Sequence, residues 1–115
     1  MLRGEIRMVD LDPVRGSEAN KRRPAVVVSN DGANSTAFHL NRGVITVVPV
    51  TSNVAQVYPF QVLLPASECG LPTDSKAQAE QVRSVAIELV GRRIGQLPAS
   101  ILAALEDALR LHLAL

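Results

Sequence analysis

The sequence is poor in the residue types on which many enzymes and binding proteins depend. It has one cysteine and two histidines, so it forms no internal disulfide and offers no cysteine cluster for zinc. It has no tryptophan, and its three Phe and Tyr residues are too few for a platform that stacks single-stranded bases. A glycine-rich phosphate loop and a GxSxG nucleophile elbow are absent as well. We therefore expect no metal and no cofactor.

A strong net charge and long apolar runs are also missing. Twelve Lys and Arg against eleven Asp and Glu leave a net charge of +1, so any anion site must come from local placement of cations. No apolar run approaches the ~18 residues of a membrane-spanning helix. The first ten residues, MLRGEIRMVD, lack the apolar stretch of a signal peptide. A single domain over residues 1–115 and a cytoplasmic location are the expectations that follow.

What the sequence does have is a series of short β-type segments. Strands are predicted over residues 5–11, 24–29, 44–48, 57–64, 77–85 and 89–94, and a helical turn over 33–40. A kink is expected near Gln81, where the alternation breaks. Pro49 and Pro59 predict bulges or strand ends, because proline has no N–H to donate to a neighbouring strand.

The last segment of the chain predicts an amphipathic helix. Pro98 suits a first helical turn, and leucines follow it at spacings of three and four residues. The apolar stripe is wider than one small sheet needs, which we interpret as a partner surface. Several strands and one terminal helix indicate a compact, β-rich α+β domain built as a small barrel.

Polar residues of possible function gather first in the long segment before the second strand. Residues 12–23 hold almost no large apolar side chain and end in the basic triplet Lys21, Arg22 and Arg23. Because Pro24 biases the residue before it toward an extended backbone, Arg23 is expected at a strand entry. A guanidinium fixed there can bind a phosphate with two parallel hydrogen bonds. The alternative is a solvated charge cluster that closes a loop.

A second polar group, Thr51, Ser52 and Asn53, follows the apolar run VITVVPV. The Thr51 hydroxyl would stand at the rim of the sheet, although these residues also suit a plain polar turn.

A third group lies in the predicted strand over residues 77–85. The amides and carboxylate of Gln78, Glu80 and Gln81, with Arg83, can read base edges. They equally suit the solvated face of a half-buried strand.

The order of these motifs resembles the MazF-type toxins, the mRNA interferases of bacterial toxin–antitoxin systems. The stretch VDLDPVRGSEANKRRPAVVVSND resembles the opening of those proteins, and VITVVPVTSN, YPFQVLLP, AEQVRS and LPASILAALEDALRLHL follow in the family's order. The resemblance covers essentially the whole chain. It implies a small SH3-like barrel of about five to seven strands with a C-terminal helix, and a homodimer with an RNA groove across its interface.

The same resemblance implies a metal-independent endoribonuclease that cuts single-stranded RNA at specific sequences. In that family the 2′-hydroxyl of the RNA is the nucleophile, so the products end in a 2′,3′-cyclic phosphate and a 5′-hydroxyl, and translation and growth are inhibited. A cognate antitoxin of the MazE type blocks the groove with a disordered tail. The gyrase poison CcdB resembles this fold without these motifs, so a non-enzymatic toxin that binds DNA gyrase is the alternative.

Matched motif by motif, the resemblance also implies site residues. Arg23 and Thr51 are expected to stabilise the charge that develops on the phosphorus centre, and Glu18 of the GSE motif is the third expected catalytic residue. Which group is general base and which is general acid stays open. The remaining expected RNA-binding residues are Ser17, Lys21, Arg22, Ser52, Asn53, Glu80, Gln81 and Arg83.

Overall fold

The computed structural model describes residues 1–12 and 21–115, without the side chains of Asp12 and Lys21. Within these ranges the strands are β1 (Glu5–Asp12), β2 (Lys21–Val27), β3 (Val44–Thr51), β4 (Gln61–Leu64), β5 (Ser75–Gln78), β6 (Arg83–Ala86) and β7 (Val90–Gln96). The helices are α1 (Asp31–Leu40), α2 (Ala66–Cys69) and α3 (Ala99–Leu113).

The strands form one antiparallel sheet in the order β4-β5-β3-β2-β1-β7, and β6 pairs with β3 next to β5. The predicted β-rich α+β fold with a C-terminal helix is thus confirmed. The barrel needs a correction, because β4 and β7 do not pair in the part of the chain that the structure describes. The short helix α2 lies against β7 instead: a Cβ atom on Gly95 would overlap the backbone carbonyl of Cys69.

Two apolar cores lie on the two sides of the sheet. Val26 of β2 belongs to the core that α3 covers with Leu105 and Ala108. Val27, the next residue of β2, belongs to the core that α1 covers with Ala37. Because side chains alternate along a strand, even-numbered residues of β2 and β3 face α3 and odd-numbered residues face α1. This alternation decides which polar side chains at the strand ends meet.

The observed strands correct several predicted boundaries, since β2 begins at Lys21 and β3 ends at Thr51, each three residues beyond the prediction. The predicted strand over 57–64 is wrong in its first half, since β4 begins at Gln61 and Tyr58 to Phe60 form a turn that Pro59 helps to fix. The kink expected near Gln81 is present as a 3-10 turn over Ala79–Gln81, and it divides the predicted strand into β5 and β6. The helical turn predicted over 33–40 is the helix α1.

Pro49 does not end a strand, contrary to expectation, but lies inside β3. The amide of Val28 donates to the carbonyl of Thr46, so that pair is a hydrogen-bonded one. Hydrogen-bonded and non-hydrogen-bonded pairs alternate along an antiparallel ladder, so Ala25 and Pro49 form a pair without hydrogen bonds. The nitrogen of Pro49 therefore faces away from β2. On that far side β3 changes its neighbour from β6 to β5. Proline is tolerated because no strand needs a donor there.

Helix α3 buries one part of its apolar stripe and leaves another part in solvent. Leu105 and Ala108 are buried, whereas Leu111 and Leu113 are 59% and 48% exposed. The part of the apolar stripe that the domain does not bury is therefore at the C-terminal end of the helix. Its use as a partner surface stays a prediction. Among the described residues, none of the helices has the length and apolar content needed to cross a membrane.

Candidate functional site

The ends of β2 and β3 bring Arg23 and Thr51 together. The ladder between these strands reaches the pair Ala25 and Pro49, and Arg23 and Thr51 each lie two residues beyond it on their own strands. Both residues also line one surface cavity. A guanidinium and a hydroxyl therefore share one site at the rim of the sheet.

The cavity that contains this pair has a volume of about 470 Å³ and a mixed wall. Its apolar side is made by Pro24, Val50, Leu71 and Pro72, and its polar side by Arg23 with the hydroxyl residues Thr51, Ser52, Thr73 and Ser75. We call it the first cavity. An apolar wall beside a cation suits a ligand that is part ring and part anion, as a nucleotide is.

A second cavity of about 320 Å³ lies on the other side of Arg23. Its wall is formed by Leu11, Arg23, Pro49, Gln78, Gln81 and Arg83. Two cations and two amides face one space, and none of these described lining residues is acidic. The second cavity therefore attracts anions and offers hydrogen-bond donors and acceptors for base edges.

Thr51 is half-buried, and its hydroxyl is already oriented by the backbone. The Oγ1 atom accepts a hydrogen bond of 3.2 Å from the amide of Asn53. An oxygen that accepts from the protein keeps its own hydrogen for another partner. The hydroxyl is therefore prepared to donate into the first cavity.

Arg83 is exposed but anchored at one nitrogen. Its Nη1 atom donates a hydrogen bond of 2.9 Å to the carbonyl oxygen of Leu11, at the end of β1. The other donors of the guanidinium are left for the second cavity. Gln81 and Arg83 thus line one cavity with Arg23, and their contact with RNA stays a prediction.

Arg22 lies elsewhere, although it neighbours Arg23 in sequence. It is opposite Asp10 of β1, and its Nη1 atom approaches Gly91 of β7 so closely that a Cβ atom on that glycine would come within 2.7 Å. The alternation along β2 turns Arg22 to the face opposite that of Arg23, and Arg22 lines neither cavity. Its contact with RNA stays a prediction.

The other predicted residues divide into those near the cavities and those outside the described ranges. Ser52 lines the first cavity, and Asn53 follows it with an exposed side chain. Glu80 lines neither cavity, because its carboxylate turns toward Gln61. Ser17 and Glu18, and the side chain of Lys21, lie outside the described residues.

The contribution of the segment that precedes β5 was not predicted from the sequence. Leu71, Pro72 and Thr73 form one wall of the first cavity. In the sequence they belong to ECGLPTD, which has the composition of an ordinary turn. A turn motif gives no indication of what it faces, so no local signal pointed to these residues.

Cys69 takes no part in the site. Its side chain is buried, and burial together with the neighbouring Glu68 raises the pKa of the thiol above its ordinary value. The thiol therefore stays protonated and is a poor nucleophile. Among the described residues, no three His, Cys, Asp or Glu side chains gather where they could hold a metal.

Known proteins with similar sequences and structures carry the same kind of fold. Residues 2–113 match the model of the family described as PemK-like, MazF-like toxin of type II toxin–antitoxin systems. The chain is 68% identical over 113 residues to the endoribonuclease MazF9 of Mycobacterium tuberculosis, covering 98% of this chain and 96% of that protein.

Solved structures give the same result. MazF of Deinococcus radiodurans superimposes with a TM-score of 0.74 at 28% identity, over 100% of this chain and 97% of that one. A structure of MazE-MazF from the same organism has a TM-score of 0.74 at 26% identity, over 100% and 96% of the two chains. The likeness therefore extends over whole chains and is not confined to a motif.

Proposed function

The chain belongs to the PemK-like, MazF-like toxin family of type II toxin–antitoxin systems and is an endoribonuclease, and from this membership we propose how and on what it acts. Its substrate is single-stranded RNA, cleaved at a specific short sequence without a metal ion. The 2′-hydroxyl attacks the adjacent phosphorus, a bond from the 2′-oxygen to phosphorus forms, and the bond to the 5′-oxygen breaks. The products end in a 2′,3′-cyclic phosphate and a 5′-hydroxyl.

The observation that carries this proposal is that Arg23 and Thr51 line the same cavity, the first cavity. Attack on phosphorus builds negative charge on the two non-bridging oxygens. A guanidinium donates two parallel hydrogen bonds to such oxygens and stays charged at every relevant pH. Arg23 is assigned this role.

The Thr51 hydroxyl is assigned the second hydrogen bond to the same phosphate. Its orientation by the Asn53 amide means that little reorganisation is needed when the charge develops. One donor of this kind typically contributes ~10²–10³ in rate. The arginine and the threonine together supply electrostatic stabilisation, which is the largest single contribution in many enzymes.

Proton transfer needs a further group. We assign the base that accepts the 2′-hydroxyl proton to Glu18, which carries the one carboxylate of the GSE motif and comes five residues before Arg23 in sequence. A proton must also reach the 5′-oxygen, and this step is assigned to no residue.

A homodimer supplies the rest of the RNA-binding surface in this proposal. One chain has a net charge of +1, yet Arg23 and Arg83 lie side by side in the second cavity. A two-fold axis doubles these cations along one groove, and Lys21, Ser17 and Asn53 are assigned to its edges. Several phosphate contacts of this kind make RNA affinity fall steeply with salt.

The partner of a type II toxin is its cognate antitoxin, and here we assign it the MazE type. A disordered acidic tail that lies over Arg23 and Arg83 would compete with RNA for the same cations. We assign the protein a cytoplasmic location, and residues 1–115 act as one domain. Cleavage of cellular single-stranded RNA accounts for inhibition of translation and growth.

The test is direct mapping of products. Purified protein is incubated with a long RNA of mixed sequence in excess EDTA, and both ends of each fragment are determined. Cleavage at one short sequence with cyclic phosphate and 5′-hydroxyl ends supports the proposal. Intact RNA, together with inhibition of DNA gyrase supercoiling, would instead favour the non-enzymatic toxin of the CcdB kind. Activity that needs added magnesium would overturn the metal-free mechanism.

A further inference from the structure

The loop between β3 and β4, residues 52–60, is held by hydrogen bonds along its whole length. It follows Thr51, whose Oγ1 atom accepts a hydrogen bond from the backbone amide of Asn53. Asn53 Oδ1 in turn accepts a hydrogen bond of 3.3 Å from the backbone amide of Ala55. The Tyr58 hydroxyl donates to Gln56 Oε1 at 3.1 Å. We call this segment the 52–60 loop.

Two charged side chains from the neighbouring elements anchor the far part of the loop. The first is Lys76 of β5, which is 8% exposed and donates from Nζ to the Gln56 carbonyl at 2.6 Å. The same Nζ atom lies 5.8 Å from the centre of the Tyr58 ring. Lys76 is also paired with Thr51 across the β3–β5 ladder, so it joins the strand of the proposed catalytic hydroxyl to the loop.

The second anchor runs from Glu80 through Gln61. Glu80 Oε2 accepts a hydrogen bond of 2.7 Å from Gln61 Nε2. Gln61 Oε1 accepts a hydrogen bond of 3.1 Å from the backbone amide of Tyr58. The backbone amide of Gln61 donates to the Tyr58 carbonyl at 2.8 Å. Since the nitrogen end of the Gln61 amide must face Glu80, its oxygen end is left to hold the loop at Tyr58.

Burial shows that Glu80 is directed into the protein. Its Oε1 atom is buried and has no hydrogen-bond partner among the described residues. The next residue, Gln81, is exposed and lines the second cavity. A carboxylate that reads a base must be open to the RNA, and this one lines neither cavity.

We propose that Glu80 is a positioning residue, which through Gln61 holds the 52–60 loop in the conformation that Thr51 and Ser52 need for cleavage. This inference rests on the proposed function, because it concerns the same site. It replaces the sequence-based expectation that Glu80 contacts RNA. The loop then connects the two cavities, since it starts at Thr51 in the first and is anchored beside Gln81 in the second.

The matched pair Glu80→Gln and Glu80→Ala tests the proposal. Glutamine keeps one side-chain oxygen, which can accept the hydrogen bond from Gln61 Nε2, so the loop keeps its anchor. Its amide nitrogen takes the place of Glu80 Oε1, which has no partner among the described residues. Alanine removes the anchor. Glu88→Ala, at an exposed glutamate of another 3-10 turn, is the control for removing one negative charge.

Two measurements are needed, and the first uses no RNA. Amide hydrogen exchange of Tyr58 is expected to speed up by about tenfold or more in Glu80→Ala, and to stay within about twofold in the other two variants. In single-turnover cleavage, Glu80→Ala should lose about tenfold in rate at every cleaved sequence, because misplacement of a catalytic group slows chemistry. Glu80→Gln should restore the rate without changing the sequence that is cleaved.

The outcomes separate this inference from the proposed function. Unchanged exchange at Tyr58 in a folded Glu80→Ala protein would overturn the positioning role, whatever the protein does to RNA. A Glu80→Gln protein that cleaves a different sequence would also overturn it, since that is the behaviour of a base-reading carboxylate. Failure of the wild-type protein to cleave any RNA would instead refute the function while the exchange result still stood.

Discussion

The two cavities on either side of Arg23 differ in what surrounds the same guanidinium. The first is bounded by Leu71 and Pro72 with hydroxyl groups around them, whereas the second is bounded by two amides and a second arginine. In the first cavity the apolar wall can pack against a ring, and the hydroxyls can donate to a phosphate. Amides and cations in a polar space can distinguish one base from another. The comparison assigns chemistry to the first cavity and recognition to the second.

Removing Arg23 should break both functions, because it belongs to both cavities. Arg23→Ala is expected to lower single-turnover cleavage by about 10³-fold or more, at the upper limit for one stabilising donor. Arg23→Lys, which keeps the charge without the two-pronged geometry, should recover a part of the rate. Arg22 faces the other side of β2, so Arg22→Ala should lower the cleavage rate far less. A folded, dimeric Arg23→Ala protein that cleaves normally would remove this residue from the mechanism.

Thr51 tests the first cavity alone. Thr51→Val keeps the shape of the side chain and removes the hydroxyl, so the cleavage rate should fall by about 100-fold with little change in RNA affinity. Thr51→Ser keeps the hydroxyl and is the matched control. A loss below about threefold in the valine protein would mean that Thr51 only packs at the strand end.

Arg83 tests the charge of the second cavity. Arg83→Ala should weaken RNA binding several-fold for all sequences and lower the slope of log affinity against log salt by about one, the contribution of one phosphate contact. Titrations at four or more salt concentrations measure that slope, with Arg92→Ala as a control on β7. An unchanged slope would place the RNA away from this cavity.

Gln81 tests base recognition in the second cavity. Gln81→Ala should relax the cleaved sequence at one position, by about tenfold in relative rate, because an amide that pairs with a base edge discriminates by about 1–3 kcal/mol. Sequencing the cleavage products of a random RNA pool gives the preference directly. If all positions keep their preference, recognition lies elsewhere in the groove.

Cys69 is expected to show the smallest effect. Its buried thiol has a raised pKa and remains protonated as pH increases toward that value, so it supplies neither a nucleophile nor a pH-dependent charge. Cys69→Ala should cleave RNA within about twofold of the wild type, with the same pH profile. Rapid loss of activity on treatment with iodoacetamide would contradict this.

The sequence predicted the order of the strands better than their ends, since β2 begins at Lys21 and β3 ends at Thr51, each three residues beyond the prediction. Arg23 and Thr51 could still be found because each lies beside an apolar run, where local patterns are strong. Glu80 and Arg22 could not be sorted from their neighbours. Their side-chain directions depend on a 3-10 turn and on strand register, and neither is encoded within a few residues of sequence.

The same limit explains the errors in the fold. The apolar residues of 57–60 look like a strand, but Tyr58 and Phe60 pack on each other, with ring centres 5.4 Å apart, in a turn around Pro59. Closure of the barrel was also expected, and it fails where α2 lies against Gly95 of β7. The contact of Cys69 with Gly95 joins parts of the chain that are far apart in sequence, so no local pattern reports it.

Pro49 is a position at which one substitution would add a hydrogen-bond donor to the wall of the second cavity. It lies where β3 passes from one neighbour to the other, buried and facing the gap between Gln78 and Gln81 without an amide hydrogen. A codon change to almost any other amino acid would bring one N–H group into this wall. A toxin could in this way gain a new donor for its RNA target while the other side chains around the cavity stayed the same.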